Sequence, residues 1–350
     1  MYSLPHETIS QLLQKLSYKN PNRTIIIIGK KKITRFQLIN KILRVQSGLV
    51  DQGLKKGDKV LSLLENSYEQ IILFFSCVTL GIIWVPIGPY RKGLGLNYII
   101  SLIKPNLIFS IKKNSKNIPM KFVNKIFNIT KELKNLTQKP NRFLNIKKEN
   151  QISCILFTSG TTGPPKGVIV SQKMLLVSAY ATGLASDVKK NDKFLLWESL
   201  YHIGGIEVIL LSLLHDIQIV LLKKFSATNF WNQIRGNKIT KIHYLGGILD
   251  ILLKLPKKKY LFFLPKFIRF ILLLYRFSEN KPYPKFKSPN QIRLALSFNF
   301  KLRATLLLFS IPFSNLFSEN CFLSCDCHFI VSRVFEMFDS SSTQTVHTLI

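Results

Sequence analysis

Residues 157–170 read F-T-S-G-T-T-G-P-P-K-G-V-I-V, with apolar, strand-like residues on both sides. The stretch holds three glycines, four hydroxyl side chains and one lysine. Small residues let backbone N–H groups close around phosphate oxygens, and a lysine adds positive charge. The stretch therefore predicts a phosphate-binding loop that joins two strands.

The loop differs from the common phosphate loop, G-x-x-x-x-G-K-[ST]. Counted from Gly160, the second glycine of that pattern falls on Pro165, and the hydroxyl expected after Lys166 is replaced by Gly167. Pro164 and Pro165 lack N–H donors and resist a tight turn into a helix. The sequence thus excludes a Walker loop.

The composition allows a large core and more than one domain, since 47% of the 350 residues are hydrophobic. The formal net charge is +32, from 50 Lys and Arg against 18 Asp and Glu, which raises a membrane or nucleic-acid partner as one hypothesis. The charge is spread along the chain, and many Lys, Ile and Asn residues are also typical of an A/T-rich coding sequence. A solvated basic surface without a specific nucleic-acid partner is therefore expected.

The cysteines and the amino-terminal sequence predict a cytoplasmic protein. Five cysteines, with Cys77 and Cys154 far apart, fit a reducing compartment rather than a disulfide framework. The first ten residues show no basic stretch followed by an apolar run, so no secretory signal is expected. Residues 71–87 carry no charge and imitate a membrane span, but Gly81 divides them. A buried helix followed by a buried strand is predicted there.

Helix and strand patterns alternate through the first 250 residues, which predicts a layered α/β body. Residues 24–28 and 59–64 form strand-like runs, and Thr34 with Gln37 predicts a capping box at the start of a helix. Ser171 and Ser226 are predicted to cap two later helices. Residues 111–149 are polar and rich in Lys and Asn, so they are predicted to be a basic insertion or linker.

The carboxy-terminal part has a different composition. All 17 glycines lie in residues 1–247, whereas 15 of the 26 phenylalanines lie in residues 248–350. An α/β domain needs glycine at turns and helix ends. Residues 256–350 are therefore expected to be a divergent or out-of-frame, Phe-rich tail.

The loop resembles the motif of the adenylate-forming superfamily, which includes the AMP-binding acyl-CoA synthetases. That motif is an aromatic residue followed by T-S-G-[ST]-T-G-x-P-K-G, and residues 157–167 match every fixed position. Similar stretches precede and follow it, at 53–67, 85–90 and 201–208. The resemblance covers about residues 5–255, and F-S-A-T-N-F-W at 225–231 favours the carnitine/crotonobetaine-CoA ligase branch. It implies that residues 1–255 are a partial AMP-binding N-terminal domain.

The family's reaction implies ATP, Mg²⁺ and coenzyme A as cofactors and co-substrate, with a carboxylic acid as the other substrate. The carboxylate attacks the α-phosphorus of ATP, and the coenzyme A thiol then displaces AMP from the acyl-adenylate. The leaving pyrophosphate needs hydrogen-bond donors and a cation. By resemblance, the phosphate-binding residues are Thr158, Ser159, Gly160, Thr161, Thr162, Gly163 and Lys166, the magnesium ligand is Thr158, and the catalytic residues are Lys166 and His202.

His202 matches the family's histidine at the acyl pocket, where it contacts the carboxyl end of the substrate. Two roles stay open for Gly204 and Gly205: space for the acyl or pantetheine group, or entry into a helix. Near the end of the chain, C-x3-C-x-C-H (residues 321–328) imitates a metal cluster, but its spacing matches no common zinc pattern. No zinc site is expected there.

Several family motifs have no counterpart in residues 256–350. These are the Y-G-x-T-E motif, the adenine loop, the T-G-D motif, and the mobile C-terminal domain with its adenylation lysine; three of them contain glycine. The first hypothesis is thus an ATP-dependent acyl-CoA ligase by descent, incomplete in this chain, whose acyl substrate the sequence does not reveal. The alternatives are a non-catalytic remnant or nucleotide-binding module, and a basic membrane- or nucleic-acid-associated protein.

Overall fold

The computed structural model describes residues 8–111, 114, 117–119, 122, 126–128, 151–158, 163–243, 248 and 251–252. These residues fall into two compact units. The first unit holds the described residues up to 181 together with residues 189–225. The second holds residues 182–188 and those from 226 onward.

Helices and strands alternate, as the sequence predicts. The helices are α1 Ile9–Tyr18, α2 Arg35–Asp51, α3 Tyr68–Leu80, α4 Gly93–Ile103, α5 Gln172–Ala185, α6 Ile203–Leu214 and α7 Ala227–Gly236. The strands are β1 Thr24–Ile28, β2 Lys31–Thr34, β3 Lys59–Leu63, β4 Ile83–Ile87, β5 Leu107–Ser110, β6 Ile126–Asn128, β7 Ile152–Phe157, β8 Gly167–Ser171, β9 Lys193–Leu196, β10 Gln218–Leu221 and β11 Lys241–Ile242.

The larger sheet of the first unit, called the β3 sheet, has the strand order β6-β5-β3-β4-β7-β8. Its strands are parallel except for the antiparallel pair β7 and β8. Residues of α4 pack with β3, β4 and β5 into a buried core formed by Leu61, Leu63, Val85, Ile87, Leu96, Ile99, Ile100, Ile103, Ile108, Ile118 and Phe157. Because β3, β4 and β7 are parallel, the loops that follow them lie along one edge of the sheet.

The uncharged stretch at residues 71–87 forms the predicted helix and strand. Helix α3 ends at Leu80, and Gly81 follows in the left-handed conformation (φ 73°) that glycine adopts without strain. Strand β4 then pairs with β3 over its whole length. Among the described residues, no helix has both the length and the apolar character needed to cross a membrane.

The second group of strands in the first unit, called the β1 sheet, runs in the order β9-β10-β1-β2. Only the β1–β2 pair is antiparallel. The predicted capping box is present at the start of α2: Thr34 Oγ1 accepts from the Gln37 amide at 3.2 Å, and the Gln37 side chain accepts from the Thr34 amide at 3.0 Å. Ser171 caps α5 through the Met174 amide at 3.2 Å, also as predicted.

Strand β6 and the cap of α7 differ from what the sequence predicts. Strand β6 lies inside the stretch predicted as a linker (111–149), and it pairs in parallel with β5 at Ile108 and Ile126. Ser226 occupies the N-cap position of α7, but its side chain makes no capping hydrogen bond.

In the second unit, Lys241 Nζ donates to the Ser186 and Asp187 carbonyls at 2.6 and 3.1 Å. The predicted tail at 256–350 lies outside the described residues.

Candidate active site

The phosphate-loop motif forms the connection of a β-hairpin. Strands β7 and β8 pair up to Phe157 and Gly167, and the Thr158 amide donates to the Lys166 carbonyl at 3.0 Å. The Thr158 hydroxyl lies 3.5 Å from the same carbonyl. A Cβ on Gly167 would lie 2.9 Å from Ile155 Cγ2 and 3.2 Å from Phe157 Cζ. The hairpin therefore closes at the base of the loop, and glycine at position 167 leaves room there for the Ile155 and Phe157 side chains.

Both ends of the loop are open to a ligand. Thr158 and Lys166 are exposed and adjacent, as a phosphate-binding role requires. Gly163 is also exposed, and an added Cβ there would meet no described residue within 4 Å. The remaining predicted phosphate contacts, Ser159, Gly160, Thr161 and Thr162, lie outside the described residues.

The oxygen ligands at the loop fit a magnesium ion that takes most of its other ligands from water and from the phosphate oxygens of the substrate. The Thr158 hydroxyl donates toward the Lys166 carbonyl, and its oxygen keeps lone pairs for a cation. No group of three or more His, Cys, Asp and Glu residues that could hold a metal occurs within the described ranges. Mg²⁺ usually takes one or two protein ligands and completes its shell with water and phosphate oxygens. The C-x3-C-x-C-H segment (321–328) lies outside those ranges.

His202 occupies the N-cap position of α6 (φ −120°, ψ 154°) and is exposed. Its amide donates to the Ser199 carbonyl at 3.0 Å, which closes a turn immediately before the helix. Its ring lies against the Tyr201 ring, with a centroid separation of 4.7 Å and an interplanar angle of 55°. The imidazole is thus presented at the start of a buried helix, where a substrate can reach it.

The two glycines after His202 allow α6 to pack closely against the segment before it. A Cβ on Gly205 would lie 2.6 Å from the Ser199 carbonyl oxygen, and one on Gly204 would lie 2.8 Å from Glu198 Oε1. Cβ atoms do not approach other atoms this closely without a shift. Of the two roles left open by the sequence, the geometry supports entry into the helix.

Two loops of the β3 sheet contact the segment that carries His202. Asn66, which follows β3, donates from Nδ2 to the Glu198 carbonyl at 2.6 Å and accepts from the Leu200 amide at 2.8 Å. After β4, a Cβ on Gly88 would lie 3.4 Å from the Tyr201 ring, so that ring packs on bare backbone. Since β3, β4 and β7 are parallel neighbours, these contacts place the His202 turn at the edge of the sheet where the phosphate loop begins.

A charged cluster next to this edge also joins residues that are distant in the sequence. Glu65 accepts from Lys223 Nζ at 2.7 Å and from the Tyr90 hydroxyl at 2.5 Å. These two hydrogen bonds lower the pKa of Glu65, and the bonds to Glu65 raise the pKa of both Tyr90 and Lys223. The sequence predicted none of these contacts, although Asn66, Glu65 and Gly88 lie in stretches that resemble the family.

The sequence pattern of the family described as "AMP-binding enzyme" matches residues 13–297, well over half of the chain. The chain belongs to the AMP-binding enzyme family. The predicted adenylate-forming resemblance is thereby confirmed, and the match extends past residue 255, where the predicted resemblance ends.

The curated relatives of this AMP-binding family member include the 2-succinylbenzoate–CoA ligase of Bacillus cereus. The two are 26% identical over 269 residues, which cover 76% of this chain and 54% of the ligase. The chain thus spans about half the length of the curated relatives it matches. A closer relation to carnitine/crotonobetaine-CoA ligases stays a prediction.

Solved structures of the family share this fold. A fatty acyl CoA synthetase from Mycobacterium tuberculosis superposes with a TM-score of 0.65 at 20% identity, covering 71% of this chain and 51% of the synthetase. The o-succinylbenzoate CoA synthetase from Bacillus subtilis, in complex with the acyl-adenylate intermediate OSB-AMP, gives 0.63 at 21% identity, covering 75% and 67%. The predicted α/β fold of an adenylate-forming N-terminal domain is confirmed.

Proposed function

We propose that this chain supplies the phosphate-binding and acyl-binding part of an AMP-forming acid–CoA ligase. The observation that carries the proposal is the shared edge of the β3 sheet. The hairpin loop with Thr158 and Lys166 leaves this edge, and Asn66 and Gly88 hold the His202 turn against it. Ligands of α/β proteins bind outside the carboxyl ends of parallel strands, which is where these groups lie.

In the proposed reaction, the loop binds the leaving group and the His202 turn binds the acid. A carboxylate attacks the α-phosphorus of ATP. The bond between that phosphorus and the bridging oxygen of the β-phosphate breaks, and pyrophosphate leaves with the negative charge that develops on this oxygen. Lys166 and the loop donors would bind that charge, and the Thr158 hydroxyl would be one ligand of a magnesium ion that neutralises the phosphates. His202 contacts the carboxyl end of the acid. The pantetheine thiol of coenzyme A then attacks the acyl carbon and releases AMP.

The substrates are proposed by class. The relatives named above act on 2-succinylbenzoate and on fatty acids by their names, so a carboxylic acid with an apolar body is the acyl substrate we propose. ATP and coenzyme A are the co-substrates. Both free thiols among the described residues, Cys77 and Cys154, are buried, and burial raises the pKa of each. Unreactive buried thiols are compatible with the cytoplasm, which we propose as the location.

A second candidate function is a nucleotide-binding module without ligase activity. The observation that favours it is the absence of glycine from residues 248–350. Three family motifs that complete the site contain glycine, so they cannot be present there in their usual form. In this candidate, the phosphate loop still binds a nucleotide, but the chain does not catalyse the ligase reaction.

Equilibrium binding to the purified 350-residue chain tests what both candidates share. Isothermal titration with ATP, pyrophosphate and AMP, each with and without Mg²⁺, is expected to show magnesium-dependent binding of ATP and pyrophosphate. AMP, which lacks the β- and γ-phosphates, is expected to bind at least about 10-fold more weakly. Equal affinity for AMP and ATP, or binding of neither, would contradict a pyrophosphate role for the loop. Coenzyme A-dependent AMP formation separates the two candidates.

A further inference from the structure

Asn66 connects the β3 sheet to the segment that carries His202. Its side chain is 6% exposed, and it uses both ends of its amide. The Nδ2 group donates to the Glu198 carbonyl at 2.6 Å, and Oδ1 accepts from the Leu200 amide at 2.8 Å. Each partner is more than 130 residues away in the chain, so neither bond is part of local secondary structure.

These two bonds fix the backbone from which His202 projects. They hold the chain at residues 198 and 200, and the His202 amide then closes the turn onto the Ser199 carbonyl at 3.0 Å. On the other side of the turn, the missing side chain of Gly205 lets α6 approach that same carbonyl. Between residue 200 and the first turn of α6, the backbone has little freedom left, so the position of the imidazole depends on these contacts.

Asparagine is suited to this position because it offers a donor and an acceptor on a short side chain. Aspartate would keep the acceptor for Leu200 but would place a negative oxygen against the Glu198 carbonyl. Alanine would leave a buried N–H and a buried carbonyl without these partners, which is costly in a protein interior. Glu65 contacts other side chains, and Gly88 packs against an aromatic ring. These contacts do not replace the two hydrogen bonds from Asn66 to the backbone at residues 198 and 200.

We propose that Asn66 is a positioning residue that sets His202 relative to the phosphate loop. It follows β3, a parallel neighbour of β4, and β4 in turn neighbours β7, whose end begins the loop. The loop leaves this sheet edge at the end of β7, and the two hydrogen bonds of Asn66 hold the backbone before His202 at the same edge. The role in acyl binding rests on the proposed function, whereas the placement of the turn does not.

The first experiment measures the placement directly in the 350-residue chain. Hydrogen exchange by mass spectrometry and the imidazole NMR resonances are recorded for the wild type, Asn66→Ala and Asn66→Asp. The His202 signal is assigned with His202→Gln. We expect exchange at residues 199–202 to rise about 10-fold in both variants, with a shifted His202 resonance in each.

A control at the other end of β3 is Asn106→Ala, at an exposed asparagine. Asn106 also bridges two backbone or side-chain groups, accepting from the Lys59 amide at 3.0 Å and donating to Asp58 Oδ1 at 3.1 Å, but these contacts lie at the amino end of β3. It is expected to leave residues 199–202 and the His202 signal unchanged. Unchanged exchange and an unmoved His202 resonance in a folded Asn66 variant, or an equal effect of Asn106→Ala, would overturn the proposal. If Asn66→Ala does not fold, the isosteric Asn66→Asp gives the same comparison.

The second experiment connects the placement to acyl recognition. The probe is an acyl-sulfamoyl adenosine with an apolar acyl chain, compared with sulfamoyl adenosine that lacks the acyl group. The ratio of the two dissociation constants isolates acyl binding, and Asn66→Asp is expected to reduce it by about 10-fold while the affinity for pyrophosphate stays the same. If the wild-type chain shows no acyl preference, the acyl part of the proposed function fails, and the exchange result still decides the role of Asn66. A normal acyl preference in Asn66→Asp would overturn the positioning role.

Discussion

Lys166 is the residue on which the charge argument for the loop depends. Its side chain is exposed, while its backbone carbonyl accepts from the Thr158 amide and so fixes the base of the loop. The side chain can therefore be removed without disturbing the hairpin closure. This separation of roles makes alanine substitution informative.

Lys166→Ala is expected to weaken the binding of pyrophosphate and magnesium-ATP by roughly 10- to 100-fold, because a charge-assisted contact of about 1.5–3 kcal/mol is lost. The measurement is isothermal titration at fixed ionic strength. In a complete ligase that contains this loop, the same change is expected to remove ~2–4 kcal/mol of transition-state stabilisation.

Lys173→Ala supplies the control for net charge. Lys173 is an exposed lysine near the start of α5, and its loss lowers the charge by the same amount. Its affinity for pyrophosphate is expected to stay close to that of the wild type. Equal losses in both variants would mean that the loop attracts phosphate only through the general positive charge of the chain.

Gly205 and Gly204 offer a second test at single positions. Alanine inside a helix normally stabilises relative to glycine, by roughly 0.5–1 kcal/mol. At Gly205 a Cβ would meet backbone, the Ser199 carbonyl, so Gly205→Ala is expected to destabilise by about 1–3 kcal/mol. At Gly204 the obstacle is the end of the Glu198 side chain, which can rotate, so the loss is expected to be smaller.

Urea denaturation followed by circular dichroism measures both effects. Gly236→Ala is the matched control, since Gly236 is also a helical glycine and an added Cβ there meets nothing within 4 Å. It is expected to be neutral or slightly stabilising. A stable Gly205→Ala variant would show that α6 does not depend on its close approach to residue 199.

At the scale of elements, a buried arginine joins three parts of the first unit. Arg35 begins α2 and is 1% exposed; it donates to the Lys19 carbonyl after α1 at 2.6 Å and pairs with Asp216 in the turn between α6 and β10. Burial lowers the pKa of Arg35, while the adjacent Asp216 carboxylate acts to raise it. Arginine keeps its positive charge in proteins, so the ion pair between Arg35 and Asp216 persists.

Arg35→Ala is expected to destabilise the protein by about 3 kcal/mol, because it removes a buried ion-pair partner and its hydrogen bond to the Lys19 carbonyl, and leaves Asp216 paired with Arg23 alone. Arg23→Ala is the matched comparison. Arg23 also contacts Asp216, at 2.7 Å, but its side chain is 21% exposed, so the expected loss is ~1 kcal/mol. Thermal unfolding of both variants provides the measurement, and equal losses would contradict the importance of burial.

Elements whose sequence patterns are local could be predicted, and contacts between distant elements could not. The capping box of Thr34 and Gln37 and the helix-to-strand change at Gly81 depend on residues a few positions apart. The bonds of Asn66 and Glu65 reach residues 198–223, and no local pattern specifies them. Strand β6 was missed because it lies in a polar stretch whose pairing with β5 is set by the sheet.

The same distinction applies to the candidate site. The loop motif can be predicted from the sequence because it consists of consecutive residues, from Phe157 to Gly167. His202 needed the resemblance as well, since a histidine at a helix start has several ordinary structural roles. Gly167 and Gly205 gained a physical explanation only from the three-dimensional neighbours that an added Cβ would meet. The sequence therefore indicates the family through its motif, whereas the contacts that hold these groups in place are visible only in the structure.

At the scale of the whole molecule, the proposed function assigns one half of a ligase reaction to the described residues. In that proposal, the loop binds the leaving pyrophosphate, and the His202 turn contacts the acid. Adenylation also requires the carboxylate and the α-phosphate to be held in line, which accounts for much of the rate in such reactions. From the sequence motifs, we expect no counterparts of the family's adenine, ribose and lysine contacts in residues 256–350, where glycine is absent.

We therefore expect the purified 350-residue chain to bind magnesium-ATP but to form AMP at least ~100-fold more slowly than an ordinary enzyme, whose turnover is about 1 per second or faster. The assay contains ATP, Mg²⁺, coenzyme A and a panel of acids that includes 2-succinylbenzoate and fatty acids of several lengths, with a full-length 2-succinylbenzoate–CoA ligase as the positive control. Binding without turnover would follow from a loop that holds phosphate while nothing aligns the attacking acid. Turnover of about 1 per second would mean that residues 256–350 supply the missing alignment in a form that the family motifs do not reveal, because a phosphate loop and one histidine cannot provide it.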